Sequence, residues 1–173
     1  MKFGESLILV AVFACCAESA HGNTGFENGD FSGWTTQGSG WSITEKMVFE
    51  GEKAAMCSIT KREPATLKAC VLLVDKAKAG WVVKADLQVM GKARSKSSSM
   101  TASIVCIDSA GEVLRESKKT LSTAPKEYQR ISLPEVIVPS GTEETYLMLV
   151  VELKDEAKGN EWWRFDDVVV QVK

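Results

Sequence analysis

Apolar and polar residues alternate with a period of two along most of this chain. Trp81, Val83, Ala85, Leu87 and Val89 interleave with Val82, Lys84, Asp86 and Gln88. Leu147, Leu149, Val151 and Leu153 interleave with Met148, Val150 and Glu152, and Val168, Val170 and Val172 with Val169 and Gln171. Successive side chains of a strand point to opposite faces, so each run predicts a strand with one face in a core. Further strands are predicted over 41–49, 54–60, 66–74, 101–108, 112–119 and 127–133. Gly, Pro, Asp and Ser punctuate them, with tight turns at Asp108-Ser109-Ala110-Gly111 and Pro139-Ser140-Gly141-Thr142. About ten short strands with no helical period predict an all-β fold, an antiparallel two-sheet β-sandwich. The basic, Ser-rich stretch Gly91–Ser99 breaks the pattern and reads as a loop, either a plain connection or one overhanging a binding surface.

The two ends of the chain carry the richest chemistry. Asn23 to Trp34 is a Gly/Asn-rich segment holding Glu27 and Phe26, and Trp163 to Val170 is a strand carrying the pair Asp166-Asp167. These ends are expected to lie side by side and to share a bound cation. Ahead of them, Lys2, the apolar run Leu7–Ala14 and the small residues Ala20-His21-Gly22 read as a secretory signal peptide over 1–22. A lipoprotein signal at Cys15 is the competing reading. Cleavage after Gly22 leaves 151 of the 173 residues, enough for the single domain predicted over 23–173. The domain is expected to be secreted, whether extracellular, periplasmic or at the cell surface, with no membrane span.

Loss of that leader changes the chemical inventory. Of 21 basic and 23 acidic side chains, 20 and 21 remain, so no charge excess favours nucleic acid or an anionic membrane. The single histidine, His21, goes with the leader. Histidine-based nucleophilic or acid–base catalysis and nearly all zinc and copper sites are thereby excluded. Cys57, Cys70 and Cys106 show no metal-ligand spacing. A Cys57–Cys70 bridge across the turn at Arg62-Glu63-Pro64 is conceivable, but the alternation turns Cys70 away, and buried thiols are the simpler reading. Carboxylate pairs for glycoside hydrolysis remain available in principle among Glu27, Glu50, Glu52, Asp86, Asp108, Asp166 and Asp167. Most of them flank turns, where solvated acids are ordinary, and the chain is expected not to be an enzyme.

Five tryptophans against two tyrosines are a clearer signal. Trp34 and Trp81 are expected in the core. Trp41, Trp162 and Trp163 begin strands next to small or polar residues, and the adjacent pair must point to opposite faces. Flat aromatic faces suit the apolar faces of pyranose rings; capping of the sandwich edge is the alternative role.

Several segments in order carry a resemblance. They are Thr24-Gly25-Phe26-Glu27 with Ser32-Gly33-Trp34, Glu50 to Ala55, Tyr128-Gln129-Arg130, Val138 to Thr142, and Phe165-Asp166-Asp167-Val168. Together they resemble the jelly-roll carbohydrate-binding modules of the CenC type, grouped in families four, nine and twenty-two, within the galactose-binding-like sandwiches. The likeness runs from about residue 23 to 172, the whole processed chain. It implies a structural Ca2+ near the joined termini, held by the Gly25 carbonyl, Glu27, an oxygen of the Glu50–Lys53 segment assigned to Glu52, and Asp166. If Val168, Val170 and Val172 face inward, parity sends Asp166 inward too, which favours it over Asp167. A buried carboxylate needs a cation or a partner, and a salt bridge to Lys53 or Arg164 is the competing arrangement. The resemblance also implies polysaccharide binding, with Trp41, Tyr128 and one of Trp162 or Trp163 as the stacking platform. A contact with another extracellular protein on the same fold is the alternative. Modules of this kind usually accompany a glycosidase, and no catalytic domain is present in this sequence.

Overall fold

The computed structural model describes residues 24–59, 68–74, 77–93, 98–153 and 161–173. The segment read as a signal peptide lies outside them, as do residues 94–97 of the stretch read as a loop over Gly91–Ser99. The strands are β1 (Trp34–Gln37), β2 (Trp41–Thr44), β3 (Ala54–Ile59), β4 (Lys68–Leu73), β5 (Val82–Lys92), β6 (Ser98–Ile107), β7 (Val113–Leu121), β8 (Gln129–Ser132), β9 (Val136–Ile137), β10 (Glu144–Leu153) and β11 (Glu161–Val172). They form two antiparallel sheets. A five-stranded sheet runs β1-β4-β10-β6-β7, and a six-stranded one runs β2-β3-β11-β5-β8 with β9 also on β5. The expected sandwich is therefore present, and among the described residues no helix is long and apolar enough to cross a membrane.

The alternation read from the sequence builds the core. Val83, Ala85, Leu87 and Val89 of β5 meet Leu147, Leu149, Val151 and Leu153 of β10, with Met100, Ala102, Ile104 and Cys106 of β6 and Trp163 and Phe165 of β11 between them. Each such side chain taken fully from water contributes about 1.5–3 kcal/mol. Trp34 joins this core, as expected. Trp81 does not: it precedes β5 at the end of the sheet, 39% exposed, with its carbonyl accepting from the Val138 amide at 2.8 Å. The inward alternation starts only at Val83.

Element ends differ from the expected ones where short-range geometry intervenes. The strand expected over 41–49 stops at Thr44, and the chain turns through Met47 at φ 54°. The stretch from Trp162 to Val172 is one strand, interrupted by a β-bulge. Asp166 opposes Gln88 and Val169 opposes Asp86, so β11 spends three steps where β5 spends two. Asp167 takes up the extra residue at φ 43°. The bulge reverses the parity, so Asp166 lies on the outer face of its sheet while Val168 points into the core. The inference that Asp166 follows Val168 inward is thus corrected.

The chain ends do meet. The Val168 amide donates to the Thr24 carbonyl at 3.1 Å, and Val82 and Lys173 exchange amide–carbonyl bonds at 2.8 and 3.0 Å. Phe26 pins the opening segment. It is fully buried 5.3 Å from the Trp34 ring and holds φ 62°, a left-handed backbone that costs roughly 1–2 kcal/mol outside glycine. Burial of its ring offsets that cost.

Beside it, Gly51 (φ 69°) sits against the Glu27 carboxylate, where an added Cβ would come 2.6 Å from Cδ. Gly51→Ala therefore incurs both the backbone penalty and a displaced Glu27. Urea denaturation should show a loss of at least about 1–2 kcal/mol. An unchanged midpoint would remove Glu27 from the account of how the termini are held.

Candidate functional site

Beyond its core-facing side, the six-stranded sheet has an outer face, and β11 runs through its middle. Trp163 and Phe165 point inward, so Trp162, Arg164 and Asp166 point outward. The register sets their neighbours in rows. Trp162 lies between Ser58 and Lys92, Arg164 between Met56 and Met90, and Asp166 beside Gln88, which in turn opposes Arg130. Although they face away from the core, Gln88, Met90, Arg164 and Asp166 are all buried.

Two loops supply the cover. The Tyr128 hydroxyl donates to the Met47 carbonyl at 2.9 Å, and its ring meets Phe49 edge-on at 5.4 Å between centroids. The amides of Phe49 and Glu50 donate to Asp166 Oδ2 at 2.8 and 3.2 Å, while the Asp167 amide donates to Oδ1 at 2.8 Å. Burial pushes the Asp166 carboxyl above its ordinary range, against the pull of these amides and with a further push from Glu27. The Tyr128 hydroxyl is pushed up to about 12, chiefly by burial and also by the Asp166 charge. At the rim, Arg130 donates to Asp86 Oδ2 at 3.0 Å and holds that carboxyl below its ordinary range.

Arg164 is differently placed. Its guanidinium lies 4.1 Å from the centroid of the Trp162 ring, a cation–π arrangement. It is 6% exposed, and both Nε and Nη1 are buried without a hydrogen-bond partner. Burial lowers its pKa, opposed only by the nearby Tyr128. No ion pair to it exists among the described residues.

The four aromatics proposed from the sequence divide. Trp162, half-buried, and Tyr128 reach the outer face, at β11 and beside β8. Trp163 is sealed in the core, its Nε1–H donating to Ser98 Oγ at 3.1 Å. Trp41 faces inward, 5.7 Å from Phe165 and 6.3 Å from Phe31, with Nε1–H on the Gln37 carbonyl. Strand parity puts both on the far side of the sheet from Trp162, so the platform that included them is corrected. Arg164 was not singled out as a site residue, although it stands two residues from both Trp162 and Asp166 and must share their face.

The four residues assigned to calcium are also held near one another, by different bonds. Glu27 Oε2 accepts from the Glu52 amide at 3.0 Å and Oε1 from the Lys53 amide at 3.1 Å, while the Lys53 ammonium donates to the Glu27 carbonyl at 3.1 Å. Gly25 adjoins the Glu27 side chain, and Asp166 has both oxygens turned to amides. Calcium takes six to eight oxygens. The groups facing these carboxylates are N–H donors, and among the described residues no three acidic, His or Cys side chains cluster to hold a metal. As arranged, the residues do not fit a calcium cage, and nothing below is routed through one.

No family model and no curated protein matches the chain. Solved structures do. The carbohydrate-binding module TmCBM61, in complex with beta-1,4-galactotriose, superposes with TM-score 0.64 at 19% identity over 87% of this chain and 96% of its own. The CBM22-1 xylan-binding domain from Paenibacillus barcinonensis superposes at 0.62 with 18% identity over 86% and 91%. The enzymatically active domain of tailspike protein 4 of bacteriophage CBA120 reaches 0.65 at 10% identity, but the match is 21% of that chain. The chain thus has the β-sandwich fold found in carbohydrate-binding modules.

Two outcomes are expected for the Asp166 and Glu27 anchors. Asp166→Ala leaves three part-buried amides without their acceptor and should cost about 1–3 kcal/mol in chemical denaturation. Excess chelator should leave the thermal midpoint of the unaltered protein where it is. A midpoint that falls on chelation and returns with calcium would mean that oxygen donors gather there after all.

Proposed function

We propose that this chain is a secreted, non-catalytic domain that binds polysaccharide on the outer face of its six-stranded sheet. The observation that carries the reading is the Trp162 indole, half-open on that face, with Ser58, Lys92 and Arg164 around it. A pyranose ring laid on the indole would remove apolar C–H surface from water, and the neighbouring polar groups would meet its hydroxyls. The likeness to a galactotriose-bound module and to a xylan-binding domain supports the same ligand class. Export rests on the apolar leader at Leu7–Ala14. Hydrolysis is disfavoured because two acids of this face are already engaged, Asp86 by Arg130 and Asp166 by three amides.

A second reading has its own observation. Met47 and Phe49, 56% and 46% exposed, form an apolar rim beside Tyr128, which suits contact with another extracellular protein.

Affinity electrophoresis of the purified protein through galactan, xylan, glucan and mannan gels separates the two. Retardation is expected in at least one, and Trp162→Ala should weaken it by roughly 30-fold, the loss typical of a central aromatic anchor. Trp41→Phe should leave it intact. Absence of retardation in every gel, combined with an altered oligomeric state in Trp162→Ala, would favour the protein-contact reading.

A further inference from the structure

The face described above holds a charge that no ion pair among the described residues balances. Arg164 is buried between Met56 and Met90 in its cross-strand row, stacked on Trp162, with Nε and Nη1 unpartnered. Two carboxylates of the same face, Asp166 and Asp86, are already engaged. Asp166 is two residues along on β11, but its oxygens collect three amides, and Asp86 is held by Arg130. Lys92, exposed directly opposite Trp162, has no ion pair among the described residues and adds a second positive group at that end of the face.

A guanidinium with two buried, unpartnered N–H groups destabilises the fold, and apolar replacement of such a charge is commonly neutral or favourable. Its presence is accounted for if a ligand completes it. A planar guanidinium matches oxyanions through paired, charge-assisted hydrogen bonds that a neutral hydroxyl equals only in part. Position then specifies the rest. Ring and cation are in contact, so the group that satisfies Arg164 must be borne by the sugar that stacks on Trp162 or by its immediate neighbour.

Resting on the carbohydrate-binding reading, we infer that the ligand is an acidic polysaccharide, whose sugar ring packs on Trp162 while its carboxylate or sulfate is taken by Arg164, with Lys92 assisting. The inference deepens that reading by naming a ligand class, and it can fail while that reading stands.

Polygalacturonate offers a matched pair of probes, because methyl esterification removes the charge and keeps the backbone. The full processed protein should bind the de-esterified polymer at least about tenfold more tightly than the esterified one by titration calorimetry, with the advantage shrinking as salt rises. Carrageenan tests whether sulfate serves in place of carboxylate; stronger binding there would assign the oxyanion as sulfate. Arg164→Met, which suits its methionine neighbours, should remove the preference for the de-esterified over the esterified polymer. Arg164→Lys should keep part of it. Equal affinity for esterified, de-esterified and sulfated polymers would overturn the acidic ligand while leaving carbohydrate binding in place. Failure of every polymer, neutral galactan and xylan included, would overturn both. Should Arg164→Met fail to fold, the esterification pair alone decides, since it needs no variant.

Discussion

The carboxylate of Asp166 is almost wholly removed from water, and its two oxygens take the backbone N–H groups of Phe49, Glu50 and Asp167. The first two of those bonds tie the loop after β2 to the centre of β11, across more than a hundred residues of sequence, and the third is local to the bulge. The loop in turn offers the Met47 carbonyl to Tyr128 and the Phe49 ring to its edge. Removing the carboxylate would therefore loosen the loop together with its contacts to Tyr128. The energetic logic is that a buried carboxylate is costly, and three amide donors aimed at it offset much of that cost without a metal. The amides do not fully compensate, which is why burial still holds its pKa above the ordinary range.

The β-bulge is what makes this possible. A regular strand carrying Val168 and Val170 inward would also turn residue 166 to the core, where a carboxylate would meet Trp163 and Phe165 surroundings. One extra residue, accommodated by the left-handed backbone of Asp167, lets the strand keep its valines in the core and hand Asp166 to the other face. Fold and site thus share one local irregularity. The same strand supplies a core layer, the clasp to Thr24 through the Val168 amide, and the three outward side chains of the candidate site.

Alternation made the sandwich legible, because burial on one face leaves a period-two trace in Val83–Val89 and Leu147–Leu153 that no helix would produce. The meeting of the chain ends was legible too, from polar segments too rich in Gly, Asn and carboxylate to be simple strands. Three features left no such trace. The bulge is one residue long and sits between two valid alternating runs, so each run read alone gives a consistent but incompatible parity. Trp81 alternates correctly yet lies beyond the last packed layer, and exposure at a sheet end depends on what covers it. The union of Tyr128 with Arg164 is long-range, brought about by β8 and β11 lying on either side of β5. Tryptophan count pointed to an aromatic platform, but choosing Trp162 over Trp163 needed the strand's register.

Arg164 and Asp166 raise a last question of electrostatics: two opposite, buried charges on one face that do not pair. Residues i and i+2 of a strand stand about 7 Å apart, beyond ion-pair contact unless both side chains lean together. Asp166 cannot lean toward Arg164, since its oxygens are fixed on loop and bulge amides at 2.8 to 3.2 Å. Arg164 is held the other way, over Trp162. Rotating it toward Asp166 would give up the indole contact and crowd the amides already there. The fold thus keeps its negative charge for its own backbone and leaves its positive charge beside the half-open ring. A surface built for stability alone would have joined them or replaced both with apolar side chains. Keeping them apart makes sense when the cation's partner arrives from outside, and the indole beside it sets where that partner must sit.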